Sequence, residues 1–158
     1  MKAGLIAATA LMGLAACDRG DDVPFNPNAV EESVAALVEN WAAAGEGDDY
    51  DALARYYADE KGFAWIELGE VRYTDHEAIV AGLEAARGMH LKVDNEVGAV
   101  AVTPLSPDAA AFHAAIGMHI ASDAFTYAFD GVLSGVAIKR DGEWKFLQGA
   151  FSEKPKAE

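Results

Sequence analysis

The chain has 158 residues, of which 52% are hydrophobic, and a formal net charge of -14. This length is suited to one domain with a substantial core. The acidic excess argues against nucleic-acid binding and against a basic face that docks on a membrane.

The N-terminus carries Lys2 and then an apolar run over residues 3–16 that ends at Cys17, the only cysteine. The run is shorter than the roughly 18 apolar residues that cross a bilayer, and small residues before a break are typical of a signal peptide. Leu14-Ala15-Ala16-Cys17 resembles the lipobox of bacterial lipoproteins. The resemblance implies cleavage after residue 16, lipidation of the Cys17 thiol and attachment to a membrane. The alternative is a buried free cysteine in an N-terminal helix.

Asp18 directly follows the cysteine, a position where aspartate often retains lipoproteins of enteric-type bacteria in the inner membrane. The resemblance therefore implies a periplasm-facing protein, anchored in the inner membrane rather than the outer one. Charges, Gly20 and two prolines without periodicity predict a flexible tether over residues 17–28. The domain is then predicted over residues 29–153, with a short tail at 154–158.

Three helices are predicted from polar caps that precede apolar residues at helical spacing. Their predicted caps are, in chain order, Asn28 with Glu31, Asp48 or Asp49, and Thr74 with Glu77. Glycines predict the ends of the first helix, at Gly45 or Gly47, and of the third, at Gly88. Two short β segments, over residues 63–66 and 70–73, separate the second and third helices.

The C-terminal half is predicted to form strands over residues 90–103, 109–121, 124–139 and 143–151. Ser122-Asp123 is predicted to be a two-residue loop, and Asp141-Gly142 favours a type I′ hairpin turn. Helices followed by an antiparallel meander indicate an α+β fold in one domain.

Three short motifs occur in this order along the chain. They are Asp51-Ala52-Leu53-Ala54 with Tyr57-Ala58-Asp59, Tyr73-Thr74-Asp75-His76-Glu77-Ala78-Ile79, and Asp141-Gly142-Glu143-Trp144-Lys145-Phe146. Together they resemble the SnoaL-like, or DUF4440-like, proteins of the NTF2-like superfamily over about residues 29–152. The resemblance implies a cone in which three helices pack into a strongly curved antiparallel sheet. It also implies a pocket between helices and sheet, and frequent dimerisation across the sheet.

The two hairpins predict which side chains of the meander share a face, although a bulge would exchange the faces beyond it. The more apolar face, which includes Phe146, should meet the helices, whereas Phe151 falls on the other face. The predicted pocket residues are Trp41, Tyr57, Trp65, Met118, Tyr127 and Gln148. Plain core packing is the alternative for the aromatic ones. Gln148 would need a partner, since a buried amide without one is costly.

No catalytic residue is predicted in this pocket. The resemblance implies a histidine or another polar group about six residues beyond the tryptophan of the last strand, but Ala150 occupies that position. Glu67, His76 and His90 could contribute from the rim, with exposure to solvent as the alternative. No cofactor is expected.

No metal site is expected either. His113 and His119 would lie about 20 Å apart along one strand, too far to share an ion. His113 with Asp130 is a better pair, but two ligands favour a hydrogen bond or a dimer contact.

The sequence therefore predicts a lipid-anchored domain that binds an unidentified small, partly apolar molecule. An apolar outer sheet face predicts a homodimer. The alternatives are a cofactor-independent isomerase, cyclase or hydratase, and a protein-binding scaffold of a membrane complex.

Overall fold

The computed structural model describes residues 25–47 and 49–154. The predicted signal peptide, Cys17, most of the predicted tether and residues 155–158 lie outside the described residues. Within the described part, no helix combines the length and the apolar character that a membrane crossing requires.

Three helices and seven strands make up the described chain. They are α1 (Pro27–Glu46), α2 (Tyr50–Arg55), β1 (Ala64–Glu67), β2 (Glu70–Tyr73), α3 (His76–Arg87), β3 (Lys92–Val97), β4 (Ala101–Ser106), β5 (Ala109–Ala121), β6 (Thr126–Arg140) and β7 (Glu143–Glu153). This order confirms the predicted α+β class. The predicted strand over residues 90–103 is two strands, β3 and β4, which pair with different parts of β5.

The helices begin at side-chain caps close to those predicted. Asn26, not Asn28, caps α1, and its side chain accepts from the Ala29 N–H, with a proline as the first helical residue. Asp49 caps α2 as predicted. Asp75, the neighbour of the predicted Thr74, caps α3. The first helix therefore begins at Pro27, directly after its cap.

The sheet is mixed rather than antiparallel throughout. Its strand order is β2-β1-β7-β6-β5-β3, with β4 also on β5, and β1 runs parallel to β7. The two ends of this order, β1 with β2 and β3, both line one cavity against the helices. The sheet is therefore curled around the helices, which confirms the predicted cone.

The β5–β6 loop is longer than predicted. Ala121 pairs with Thr126, not with Ala124, so four residues lie between the paired ends. The pairing differs from the predicted one by two residues, an even number that keeps side chains on their predicted faces.

The same shift in pairing separates His113 from Asp130, the two residues that were considered for a hydrogen bond or a dimer contact. His113 lies opposite Ser134, and Asp130 lies opposite Gly117. The predicted neighbourhood of His113 and Asp130 is therefore wrong, because the longer loop slides β6 along β5.

A β-bulge interrupts the pairing of β6 with β7. Ala137 pairs with Phe146, but the preceding Val136 pairs with Gln148, so Leu147 is an extra residue in β7. An extra residue exchanges the two faces of a strand beyond it.

Because of this bulge, Gln148 and Phe151 each lie on the face opposite to the predicted one. Gln148 is exposed, and its Nε2 donates to the Gly62 carbonyl at 3.3 Å. Phe151 instead turns inward, with its ring 5.7 Å from Trp65 and 6.2 Å from Trp41. Gln148 is therefore not part of the cone wall, and the Phe151 ring lies in the core instead.

The core lies between the inner face of the sheet and one side of α1. Its largest fully buried side chains are Trp65, Phe146, Leu133, Val34 and Val38. A backbone bridge joins the end of α2 to this core, because the Ala58 N–H donates to the Phe146 carbonyl at 2.9 Å. The bridge holds the neighbouring Tyr57 side chain against the sheet.

Candidate functional site

A cavity of about 300 Å³ opens between the helices and the inner face of the sheet. We call it the cone cavity. It is lined by Trp41, Gly45, Tyr50, Leu53, Tyr57, Trp65, Glu67, Tyr73, Ile79, Gly82, Leu83, Ala86, Leu91, Val93, Asn95, Met118 and Ile120. Most of these side chains are aromatic or aliphatic and a few are polar, the usual composition of a small-molecule site.

Three aromatic side chains form one connected part of the wall. The Trp41 Nε1–H donates to the Tyr57 hydroxyl at 2.8 Å, and the Tyr57 ring meets Trp65 edge-on at 5.1 Å between centroids. Burial raises the pKa of Tyr57, so its hydroxyl stays protonated at neutral pH. The phenol can therefore accept from Trp41 and still offer its own proton.

Two glycines make room for aromatic rings of the wall. A Cβ at Gly149 would lie within 2.7 Å of three ring carbons of Trp65, and one at Gly82 within 2.8 Å of the Tyr73 ring and hydroxyl. Gly149 pairs with Trp65 across β1 and β7, so this indole packs flat on the backbone of the neighbouring strand. The aromatic wall therefore depends on the absence of side chains at two positions.

Glu67 at the end of β1 is the only carboxylate among the described residues that line the cone cavity. One of its oxygens, Oε1, accepts from the Trp65 Nε1–H at 3.0 Å. Its pKa is raised, because burial outweighs the opposing effects of the Trp65 hydrogen bond and of the Arg72 charge. The side chain is half-buried, which corrects the alternative of a fully solvated residue on the rim.

Asn95 on β3 is the amide of the cavity wall. Its Nδ2 donates to the Ala42 carbonyl at 3.0 Å, and its backbone N–H meets Glu46 Oε1 at 3.1 Å. Its Oδ1 is buried and has no hydrogen-bond partner in the described part of the chain. The sequence reasoning missed this residue, because it lies in a strand whose exposed positions carry charges and gave no sign of facing a pocket.

The cone cavity brings together four of the six predicted pocket residues, Trp41, Tyr57, Trp65 and Met118. Gln148 lies outside, beyond the bulge. Tyr127 pairs with the cavity residue Ile120 but does not line the cavity.

Tyr127 and the two candidate rim histidines lie elsewhere. The Tyr127 hydroxyl donates to Glu153, and partial burial with this carboxylate raises its pKa to about 12. His76 lies within hydrogen-bond distance of the Ala54 carbonyl, where it links α3 to α2. His90 is exposed on a turn with a φ of 51°. Within residues 25–47 and 49–154, no three His, Cys, Asp or Glu residues are close enough together to hold a metal ion.

Comparison with known families identifies this architecture. Residues 34–155 match the family described as the SnoaL-like domain. The chain belongs to the SnoaL-like family. No curated protein matches the sequence.

Solved structures place the SnoaL-like domain among NTF2-like folds. A provisionally assigned scytalone dehydratase from Novosphingobium aromaticivorans has a TM-score of 0.72 at 14% identity, over 81% of this chain and 87% of that chain. An NTF2-like protein of unknown function from Shewanella oneidensis has a TM-score of 0.59 at 16% identity, over 77% and 97%. A type 2 hexachlorocyclohexane dehydrochlorinase, LinA, has a TM-score of 0.67 at 14% identity, over 81% and 87%. At these identities the likeness shows the fold alone.

Proposed function

We propose that this protein binds a small, partly apolar molecule in the cone cavity. The observation that carries the proposal is a cavity of about 300 Å³ with an aromatic wall and two half-buried polar side chains, Glu67 and Asn95, of which the Asn95 Oδ1 atom is fully buried. The apolar wall would supply the binding free energy, whereas the polar groups would orient the ligand.

A binding experiment with 2-naphthol tests this function, because this probe combines an apolar double ring with one hydroxyl group. We expect calorimetric titration of the full chain to show one site, and we expect Leu83→Trp to abolish binding. Leu83 lines the cavity, so an indole there would occupy the space that the probe needs.

Leu105→Trp is the matched control, since Leu105 is 61% exposed and does not line the cavity. It should leave the affinity unchanged. Equal binding by the wild-type protein and Leu83→Trp would place the probe elsewhere and contradict the proposal.

Glu67 supports a second candidate function, proton-transfer catalysis without a cofactor. A carboxyl group with a raised pKa is a stronger base once ionised than one in water, and it lies beside the space that a substrate would fill. Two of the similar folds are described as a dehydratase and a dehydrochlorinase, reactions of the elimination class. This candidate replaces the earlier expectation that the pocket has no acid or base.

The elimination of 5-nitrobenzisoxazole tests Glu67 as a base without knowledge of the natural substrate. In this reaction a base takes the C–H proton while the N–O bond breaks, which releases a coloured cyanophenolate. We expect Glu67→Gln to lose the turnover but to retain 2-naphthol binding. Glu70→Gln, on the exposed start of β2, is the control. Turnover that persists in Glu67→Gln would remove Glu67 as the base.

The position of this domain in the cell is part of the proposal. A lipid on Cys17 would anchor it at the inner membrane, facing the periplasm, with the residues before Asn26 as a tether. Membrane attachment through one lipid leaves the cone cavity open to solutes. A homodimer across the outer face of the sheet is proposed as well, supported by the exposed Val132 in β6.

A further inference from the structure

The hydrogen-bond donors and acceptors in the cone cavity wall differ in how many of them have partners. Each side-chain nitrogen of the wall already donates one hydrogen bond: Trp41 Nε1 to Tyr57, Trp65 Nε1 to Glu67, and Asn95 Nδ2 to the Ala42 carbonyl. Among the described residues, no Lys, Arg or His lines the cavity. The other side-chain donors of the wall are tyrosine hydroxyls, which can accept as well as donate, and the second N–H of the Asn95 amide.

Two side-chain acceptors in the wall, in contrast, have no donor from the described protein. Asn95 Oδ1 is buried without a partner, and no described side chain donates to the second oxygen of Glu67. The Asn95 oxygen is the buried one of the two, and buried acceptors without partners are rare in folded proteins, where a bound molecule or water normally satisfies them. The orientation of the Asn95 amide is fixed, because its nitrogen is held by the Ala42 carbonyl.

The two acceptors lie on strands from different ends of the sheet. Glu67 is on β1 and Asn95 is on β3, near the two ends of the strand order, and curling of the sheet brings both strands to one cavity. A molecule that fills the cavity would meet both acceptors. A carboxylate or phosphate would instead favour positive charges in the wall, and no Lys, Arg or His among the described residues lines it.

We infer that the ligand carries at least two hydrogen-bond donors, as hydroxyl, amide or amine groups, on an apolar ring system and has no anionic group. Asn95 accepts from one donor and Glu67 from another. The inference rests on the proposed function, since it names the class of molecule that the cone cavity takes.

Three naphthalenes with the same rings test this class on the full chain: 2,6-dihydroxynaphthalene, 2,6-dimethoxynaphthalene and 2,6-naphthalenedicarboxylate. The dihydroxy compound should bind about tenfold or more tightly than the dimethoxy compound, which keeps the oxygens but cannot donate. The dicarboxylate should not bind. This comparison uses only the wild-type protein, so it does not depend on whether a variant folds.

Asn95→Leu then tests the role of the amide. This substitution also removes the bond to Ala42 and can lower stability, so the readout is the ratio of the dihydroxy to the dimethoxy affinity in the same variant. We expect the ratio to fall several-fold in Asn95→Leu. It should stay unchanged in Asn40→Leu, where the asparagine is exposed and outside the cavity.

The outcomes separate this inference from the proposed function. Equal affinity for the dihydroxy and dimethoxy probes, or tight binding of the dicarboxylate, would overturn the inference but leave binding in the cone cavity intact. A ratio that persists in Asn95→Leu would remove Asn95 as an acceptor and so overturn the inference. If none of the three probes binds, the proposed function itself is contradicted.

Discussion

Gly149→Ala is the sharpest perturbation of the aromatic wall. The new Cβ would lie within 2.7 Å of three Trp65 ring carbons, whereas carbon atoms in ordinary contact lie roughly 3.5–4.0 Å apart. The Trp65 ring would have to retreat by about 1 Å. Tyr57, Trp41 and Phe146 already surround it at centroid distances of 5.1, 5.9 and 5.7 Å.

Overpacking of this kind costs about 1–3 kcal/mol, and loss of the Trp65–Glu67 hydrogen bond would add about 1 kcal/mol. We therefore expect the free energy of unfolding of Gly149→Ala to fall by roughly 2–4 kcal/mol. Urea denaturation followed by far-UV circular dichroism measures this quantity.

Gly88→Ala is the matched control, because this glycine has an ordinary φ of -68°. Its added Cβ would lie 3.5 Å from the Ala85 carbonyl oxygen, an ordinary contact. This control should differ from the wild-type protein by less than about 0.5 kcal/mol. A Gly149→Ala protein as stable as the wild type would refute the argument that the backbone of β7 supports the indole.

Three further predictions concern other parts of the molecule. Glu67→Gln should gain stability relative to the wild type as pH rises above the ordinary carboxyl pKa of 4.5, measured by thermal melts across pH. The raised pKa means that folded Glu67 holds its proton more tightly than the unfolded chain, so its stabilising contribution is lost as pH rises through that pKa; a pH-independent difference would argue against burial. Trp41→Phe removes the 2.8 Å bond to Tyr57 and should cost about 2 kcal/mol in urea denaturation, whereas no loss would show the bond to be unimportant. Cys17→Ala should move the protein from the membrane to the soluble fraction of cells, and membrane retention would rule out a lipid anchor on this cysteine.

The sequence predicted the helices and the β6–β7 hairpin well, because their signals are local. Asp49 and Gly88 lie at the helix ends that they were expected to mark, and Arg140 pairs with Glu143 across a turn in which Asp141 and Gly142 both have positive φ. Such turns need residues that tolerate this conformation, so the chain itself reveals them.

The bulge in β7 could not be located from sequence. Glycine inside a strand indicates a bulge or a close approach, and Gly135 and Gly149 lie opposite each other just beyond this one. The signal does not say which residue is extra, and that choice decides whether Gln148 or Phe151 faces the core. The predicted pocket residues that helices or buried aromatic packing anchor therefore line the cone cavity, whereas Gln148 does not.

The position of Glu67 in the cavity wall could not be predicted from the sequence for a related reason. Its environment is set by β1 pairing in parallel with β7, a contact between residues about eighty positions apart. Asn95 likewise faces the cavity only because the sheet curls. Neither long-range contact leaves a pattern in the nearby residues.

The three tryptophan indoles provide the most direct test of ligand binding in the cone cavity. Trp41 and Trp65 line it, whereas Trp144 does not. Two-dimensional NMR of the full chain should show the indole N–H signals of Trp41 and Trp65 moving as 2-naphthol is added, while that of Trp144 stays in place. Movement of the Trp144 signal alone, or of backbone signals on the outer face of the sheet with both cavity indoles unchanged, would contradict the account.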